Sequence, residues 1–110
     1  MLSIIIPIYD FNIKKLILEL KNQLTENNID FEILCYDDGS SKFKKENQSL
    51  QNQKHIIYKE LDENIGRTRI RNLLINDSKY NTILLLDCDI SIKNSNFIKS
   101  YLKYINKNTV

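Results

Sequence analysis

The sequence predicts an α/β domain: a parallel sheet of four strands in the order 3-2-1-4, with helices on both faces. Three observations carry that expectation. Leu2 to Tyr9 (LSIIIPIY) and Thr82 to Leu86 (TILLL) are short, nearly continuous apolar runs, the pattern of strands buried on both faces. Between the strand-like runs lie stretches whose apolar residues recur every three or four positions, the period of an amphipathic helix. Breakers are scarce: Gly39, Gly66 and Pro7 are all the glycine and proline there is, so each marks a place where the backbone must do something special.

Taken in order, strand one should end near Tyr9, because Pro7 has no N–H to donate and the ladder fails there. Ile13, Leu16, Ile17, Leu20 and Leu24 then form one helical stripe, with Lys14, Lys15, Glu19 and Lys21 outside it. Phe31 to Tyr36 (FEILCY) reads as strand two, stopped by the turn cluster Asp37-Asp38-Gly39-Ser40-Ser41. Residues 42–53 are polar and read as a short exposed helix. His55 to Leu61 (HIIYKEL) alternates enough for strand three, and its polarity puts it at a sheet edge. Asn64-Ile65-Gly66 opens a helix running to about Ser78, with Ile70, Leu73 and Leu74 facing inward. Thr82 to Leu86 is a fourth, buried strand ending in Asp87-Cys88-Asp89. A last helix, near 95–107, buries Phe97, Ile98, Tyr101, Leu102 and Ile105. The result is a Rossmann-like half-sheet.

A chain of 110 residues, 42% hydrophobic and 27% charged, suits one soluble domain, spanning residues 1–110. No apolar run approaches the roughly 20 residues a membrane span needs, and the start of the chain lacks the marks of a secretory signal, so a cytoplasmic location is expected. Two cysteines and one histidine are too few for a zinc site of their own. A net charge of +2 gives no reason to expect nucleic acid as a partner. Cys35 and Cys88 fall two strands apart, about 10 Å, too far for a disulfide, so both are expected as free thiols. His55 is expected to face solvent without a function.

Sheets of this kind bind ligands beyond the carboxyl ends of their strands, where the strand order reverses. The acids gather there: Asp10 after strand one, Asp37 and Asp38 after strand two, Asp87 and Asp89 after strand four. Together they repel and need water, hydrogen bonds or a cation. In extended backbone Asp87 and Asp89 point the same way and can present two carboxylates to one ion, with Mg²⁺ or Mn²⁺ the suitable chemistry. An Asp-x-Asp pair alone also describes solvated loop acids capping the next helix. On the other side, Arg67 and Arg71 share a helical face near a helix start, where free amides and the macrodipole favour an anion. Their planar forks match phosphate, although a solvated basic face would look the same. Opposed to the acids, they suggest a diphosphate bridged by a metal. Tyr9 could stack on a base.

Four segments resemble, in order, the motifs of the family 2 glycosyltransferases. Leu2 to Asp10 is similar to the family's strand ending Pro-x-Tyr-Asn, and Cys35 to Ser41 to its Asp-Asp-Gly-Ser turn. Asn64-Ile65-Gly66 with Arg71-Asn72 resembles its Asn-x-Gly…Ala-Arg-Asn segment, and Asp87-Cys88-Asp89 its Asp-x-Asp signature. The resemblance implies a GT-A fold, here its nucleotide-sugar-binding part, and an inverting, metal-dependent transfer of sugar from a UDP-sugar to a hydroxyl, as in bacterial polysaccharide synthesis. Pro7 and Tyr9 would line the base pocket and Asp38 would accept from a uracil N3–H. Arg71 would approach the diphosphate, Asp87 the ribose or metal waters, and Asp89 would ligate Mn²⁺ or Mg²⁺. Asp10 stands where the family has Asn, and Ile70 where it favours Ala.

In the family the catalytic base lies well past the Asp-x-Asp motif. No catalytic residue is therefore expected within these 110, and the chain alone should bind donor without transferring sugar. Truncation would uncover apolar surface able to support a homodimer through the sheet edge or last helix, and the full-length protein could associate peripherally with a membrane. The competing reading is a non-catalytic nucleotide- or metal-binding module on the same fold. A receiver domain would carry its acid pair after strand one, and a dinucleotide dehydrogenase would carry Gly-x-Gly-x-x-Gly there; this sequence has neither.

Overall fold

Every strand pair in the sheet is parallel, and the order is β3-β2-β1-β4, as the sequence predicts. The computed structural model describes residues 1–108, with side chains through residue 105. Its elements are β1 (Leu2–Ile8), α1 (Lys14–Glu26), β2 (Phe31–Asp37), α2 (Lys44–Asn47), a 3₁₀ turn (Gln48–Leu50), β3 (Ile56–Glu60), α3 (Arg67–Asp77), β4 (Ile83–Leu85) and α4 (Phe97–Asn108). None of the described helices is long and apolar enough to cross a membrane.

The side-chain alternation of β1 and β2 divides the core in two. Ile4, Ile6, Ile8, Ile33 and Cys35 face α1 and α4, where they meet the whole predicted stripe of Ile13, Leu16, Ile17, Leu20 and Leu24, together with Ile98. Ile5, Leu34 and Tyr36 face the other way, onto Ile70 and Leu74 of α3. Helices therefore cover both faces, and each buried Ile or Leu contributes about 1.5–3 kcal/mol. Two buried polar side chains tie the helices down. Asn47 accepts from the Ile13 N–H (3.0 Å) and donates to the Phe11 carbonyl (2.7 Å), capping α1 from a distant segment. Gln23 accepts from the Ile98 N–H (2.9 Å) and donates to the Asn94 carbonyl (2.9 Å), joining α1 to the start of α4. At the amino end of the sheet, Ser3 donates to Glu32 (2.6 Å) and accepts from the Tyr80 N–H (3.1 Å), which closes that end with a purely structural network.

Pro7 acts on one side of its strand only. Odd residues of β1 bond β4, as in Ser3 N–H to Thr82 C=O and Leu86 N–H to Ile5 C=O. Even residues bond β2, as in Leu2 N–H to Asp30 C=O and Asp38 N–H to Ile8 C=O. Pro7 is the next odd position, so the missing donor falls toward β4. Pairing with β4 accordingly ends at Ile5–Leu85, whereas pairing with β2 continues to Ile8–Asp37. Beyond that point β1 and β4 part, and a cleft opens between them.

Two elements depart from expectation. Residues 42–53 hold only the four-residue α2 and a 3₁₀ turn, because they offer no apolar stripe and Phe43 and Asn52 sit at positive φ, which helices exclude. The fourth strand is not buried: Ile83 and Leu84 are half-buried and Leu85 is 39% exposed. It occupies the sheet edge, with β1 as its one partner strand among the described residues. The alternating β3 occupies the other edge as expected, and His55 is exposed with its ring 4.7 Å from that of Phe31. Cys35 and Cys88 are both free thiols.

Candidate functional site

The opening that Pro7 creates is a cleft of about 420 Å³ beyond the carboxyl ends of β1 and β4, where the strand order reverses. One wall is the end of β1, with Pro7, Ile8 and Tyr9, followed by Phe11. The segment entering α3 forms the second wall through Asn64, Gly66, Arg67 and Ile70, with Asp38 at its base. Asp87, Cys88 and Asp89, which follow β4, complete it. Five of the seven predicted site residues are brought together here: Pro7, Tyr9, Asp38, Asp87 and Asp89. Asp10 and Arg71 do not line the cleft.

Asp38 organises the wall it stands under. Its side chain is almost completely buried, with Oδ1 accepting from the Ile65 N–H (2.7 Å) and Oδ2 from the Gly66 N–H (3.1 Å). The Asn64 side chain donates in turn to the Asp38 carbonyl (3.0 Å). This clamp fixes the backbone that enters α3, so the helix start faces the cleft. Gly39 makes the clamp sterically possible. Its φ is +72°, and an added Cβ would lie 2.6 Å from the Asn64 nitrogen and 2.7 Å from the Glu63 carbonyl carbon. Gly66, the residue before α3, has φ +91° with nothing within 4 Å of where a Cβ would sit, so its exposed edge is open space on the cleft wall.

The remaining acids have separate tasks. Asp37 is fully buried: Oδ2 accepts from the Ser40 N–H (2.9 Å), and Oδ1 has no hydrogen-bond partner. Asp10, at φ +49°, turns away from the cleft and accepts from the Ser41 (2.8 Å) and Lys42 (3.0 Å) amides, while its own N–H donates to Ser40 Oγ (2.8 Å). Asp87 and Asp89 are exposed on the cleft wall. The described residues contain no group of three or more His, Cys, Asp or Glu side chains able to hold a metal. Burial pushes the half-buried Cys88 thiol up; a Tyr9 backbone hydrogen bond opposes this, and the Asp89 charge adds to it.

The cation lining the cleft is Arg67. Its guanidinium Nη2 lies 2.5 Å from Asp87 Oδ1, and both side chains are mostly exposed. Arg71 sits one turn further along α3, exposed and away from the cleft. Helical spacing pairs the two arginines but leaves open which one reaches the strand ends; the position of the Gly66 cap decides it. Phe11, Asn64, Ile70 and Cys88 also line the cleft, beyond the site residues the sequence predicts. Asn64 lay within a recognised motif, whereas nothing in the local pattern around Phe11 distinguishes it from core.

The sequence matches the family model described as "Glycosyl transferase family 2" over residues 3–110. It is 33% identical over 109 residues to chondroitin synthase of Escherichia coli, a match covering 94% of this chain and 15% of that protein. Among solved structures it resembles S. aureus TarS, with TM-score 0.68 and 26% identity over 96% of this chain and 19% of that one. TarS 1–349 in complex with UDP-GlcNAc matches with TM-score 0.69 and 26% identity, covering 96% of this chain and 31% of that one. The chain thus spans a minor part of each of these relatives. The β3-β2-β1-β4 sheet is shared with solved structures over nearly the whole chain, and the family model covers residues 3–110: this chain belongs to glycosyltransferase family 2.

Proposed function

We propose that this chain binds the nucleotide part of a nucleoside-diphosphate sugar, a UDP-sugar, as the donor-binding portion of an inverting, metal-dependent glycosyltransferase acting on a hydroxyl acceptor. The observation that carries the reading is the convergence of Asp38, Arg67, Asp87 and Asp89 on one cleft beyond the strand ends. Solved TarS complexes with UDP-GlcNAc and with UDP support the class of donor.

In this reading Pro7 and Tyr9 flank the base. Asp38 spends two acceptor positions on the Ile65 and Gly66 amides, and a carboxylate has about four, so it keeps capacity for a base N–H. The residues also fit a divalent cation. Asp87 and Asp89 supply two hard oxygen donors, and the missing third protein ligand suits an ion that keeps waters and phosphate oxygens in its shell. Asp89 would ligate it directly, with Asp87 holding its waters or the ribose; when bound, such an ion stabilises charge on the departing diphosphate. Arg67 offers the phosphates a cationic donor, and the open edge of Gly66, whose N–H is held by Asp38, lets them approach without steric obstruction. Arg71, one turn away, would contribute longer-range positive charge to the diphosphate. Asp10 acts indirectly by fixing the turn at residues 40–42. No residue of this chain is assigned to deprotonate the acceptor.

Calorimetric titration with UDP, with and without Mn²⁺, tests the proposal on the wild type and Asp89→Ala. Binding that Mn²⁺ strengthens in the wild type alone is expected. Metal-independent binding of equal strength in both would remove Asp89 as a ligand, and no binding in either would remove the donor site.

A further inference from the structure

We propose that Arg67 and Asp87 form an exchange pair that couples cation binding to diphosphate binding; the inference rests on the donor-site reading above. The Arg67 guanidinium engages Asp87, the carboxylate that stands two residues from Asp89 on the same wall. The contact is a single one, Nη2 to Oδ1, although a guanidinium has five donors and a carboxylate about four acceptor positions. The side chains are 74% and 55% exposed, so water screens the pair and the fold gains little from it. Neither side chain has another hydrogen bond holding it in place among the described residues. Each can therefore leave for a better partner at small cost.

The two ligands supply those partners together. A cation approaching Asp87 and Asp89 alone meets the guanidinium charge and must compete with it for the carboxylate. A diphosphate approaching alone finds Arg67 already engaged and two carboxylates facing it. When both arrive, the phosphates take the guanidinium in the fork geometry that suits it, and Asp87 becomes free for the cation and its waters. Arg67 is the first residue of α3, so the phosphates also meet the helix's free amides beside the open edge of Gly66. Each ligand thus raises the affinity of the other, and by linkage the two factors are equal.

The test measures Mn²⁺ binding alone by paramagnetic resonance of the free ion, and UDP binding by calorimetry with and without Mn²⁺. The proteins are the wild type, Arg67→Gln and Arg69→Gln; Arg69 is exposed on the same helix and does not line the cleft. Arg67→Gln should bind Mn²⁺ alone roughly threefold more tightly, the scale of an exposed ion pair. It should bind UDP in the presence of Mn²⁺ roughly tenfold more weakly, the scale of a lost charged hydrogen bond. The factor by which Mn²⁺ improves UDP binding should shrink accordingly, while Arg69→Gln keeps wild-type values. Unchanged Mn²⁺ affinity in Arg67→Gln, or equal effects in Arg69→Gln, would overturn the exchange. If the wild type fails to bind UDP with Mn²⁺ at all, the donor-site reading itself fails, which is a different result.

Discussion

Replacing Asp38 by alanine should loosen the whole entry to α3, and the structure sets the size of the effect. The carboxylate accepts two backbone N–H bonds, at 2.7 and 3.1 Å, and hydrogen bonds to a charged group contribute about 1.5–3 kcal/mol each. Ile65 and Gly66 are only half-buried, so water reaches their freed amides and the lower end of that range applies. The expected loss is about 3 kcal/mol, or roughly a 12 °C fall in Tm for a domain of this size. The Asn64 bond to the Asp38 carbonyl survives the substitution and should keep the loss from growing further. Urea unfolding followed by circular dichroism measures it: the midpoint falls while the slope m stays constant. A loss below about 1 kcal/mol would refute the clamp as the element that positions this wall. The same variant, titrated with UDP under native conditions, separates structure from recognition. Unchanged affinity would take Asp38 out of the base pocket and leave it a structural acid.

The two glycines should respond differently to alanine. Gly39→Ala places a Cβ against the backbone of Glu63 and Asn64 and should cost about 3 kcal/mol or more in stability; Gly66→Ala meets open space and should cost about 1–3 kcal/mol from backbone strain alone, while weakening UDP binding by filling the cleft wall. Equal stability losses in the two would show that loop 62–64 is not packed on the turn. At pH 8, Cys88 should alkylate more slowly than an ordinary thiol, because burial holds its pKa up, and Cys35 should not react while the protein is folded. Raising the pH should speed Cys88 labelling, and UDP with Mn²⁺ should slow it, as read by intact mass; labelling indifferent to UDP would place the nucleotide elsewhere.

Much of this architecture was legible in the amino-acid pattern, for identifiable reasons. The β1 run, the five-residue stripe of α1 and the two arginine-bearing turns of α3 are local signals whose periods are fixed by backbone geometry, and strands alternating with helices call for a parallel sheet with right-handed crossovers. What escaped depends on contacts between distant segments. Residues 42–53 follow Asn47, whose bonds go to Ile13 and Phe11 and which no local period reveals. Strand β4 reads as buried from composition, but its burial is set by its place at the sheet edge. Asp10 is rim-like by position, yet its positive φ turns it onto the neighbouring loop. Arg71 carries the motif resemblance, but the helix begins at Arg67, and the first residue after the Gly66 cap is the one that reaches the cleft.

The central claim, that one cleft at the β1–β4 gap receives a nucleoside diphosphate, is tested most directly by following backbone amide shifts in a nitrogen–proton correlation spectrum as UDP and Mg²⁺ are added. The largest changes should fall on Ile8, Tyr9, Gly66, Arg67 and residues 87–89, with Ser3, Glu32 and Tyr80 at the far end of the sheet unmoved. Saturable shifts centred on that far end, or on the solvent face of α1, would contradict the account.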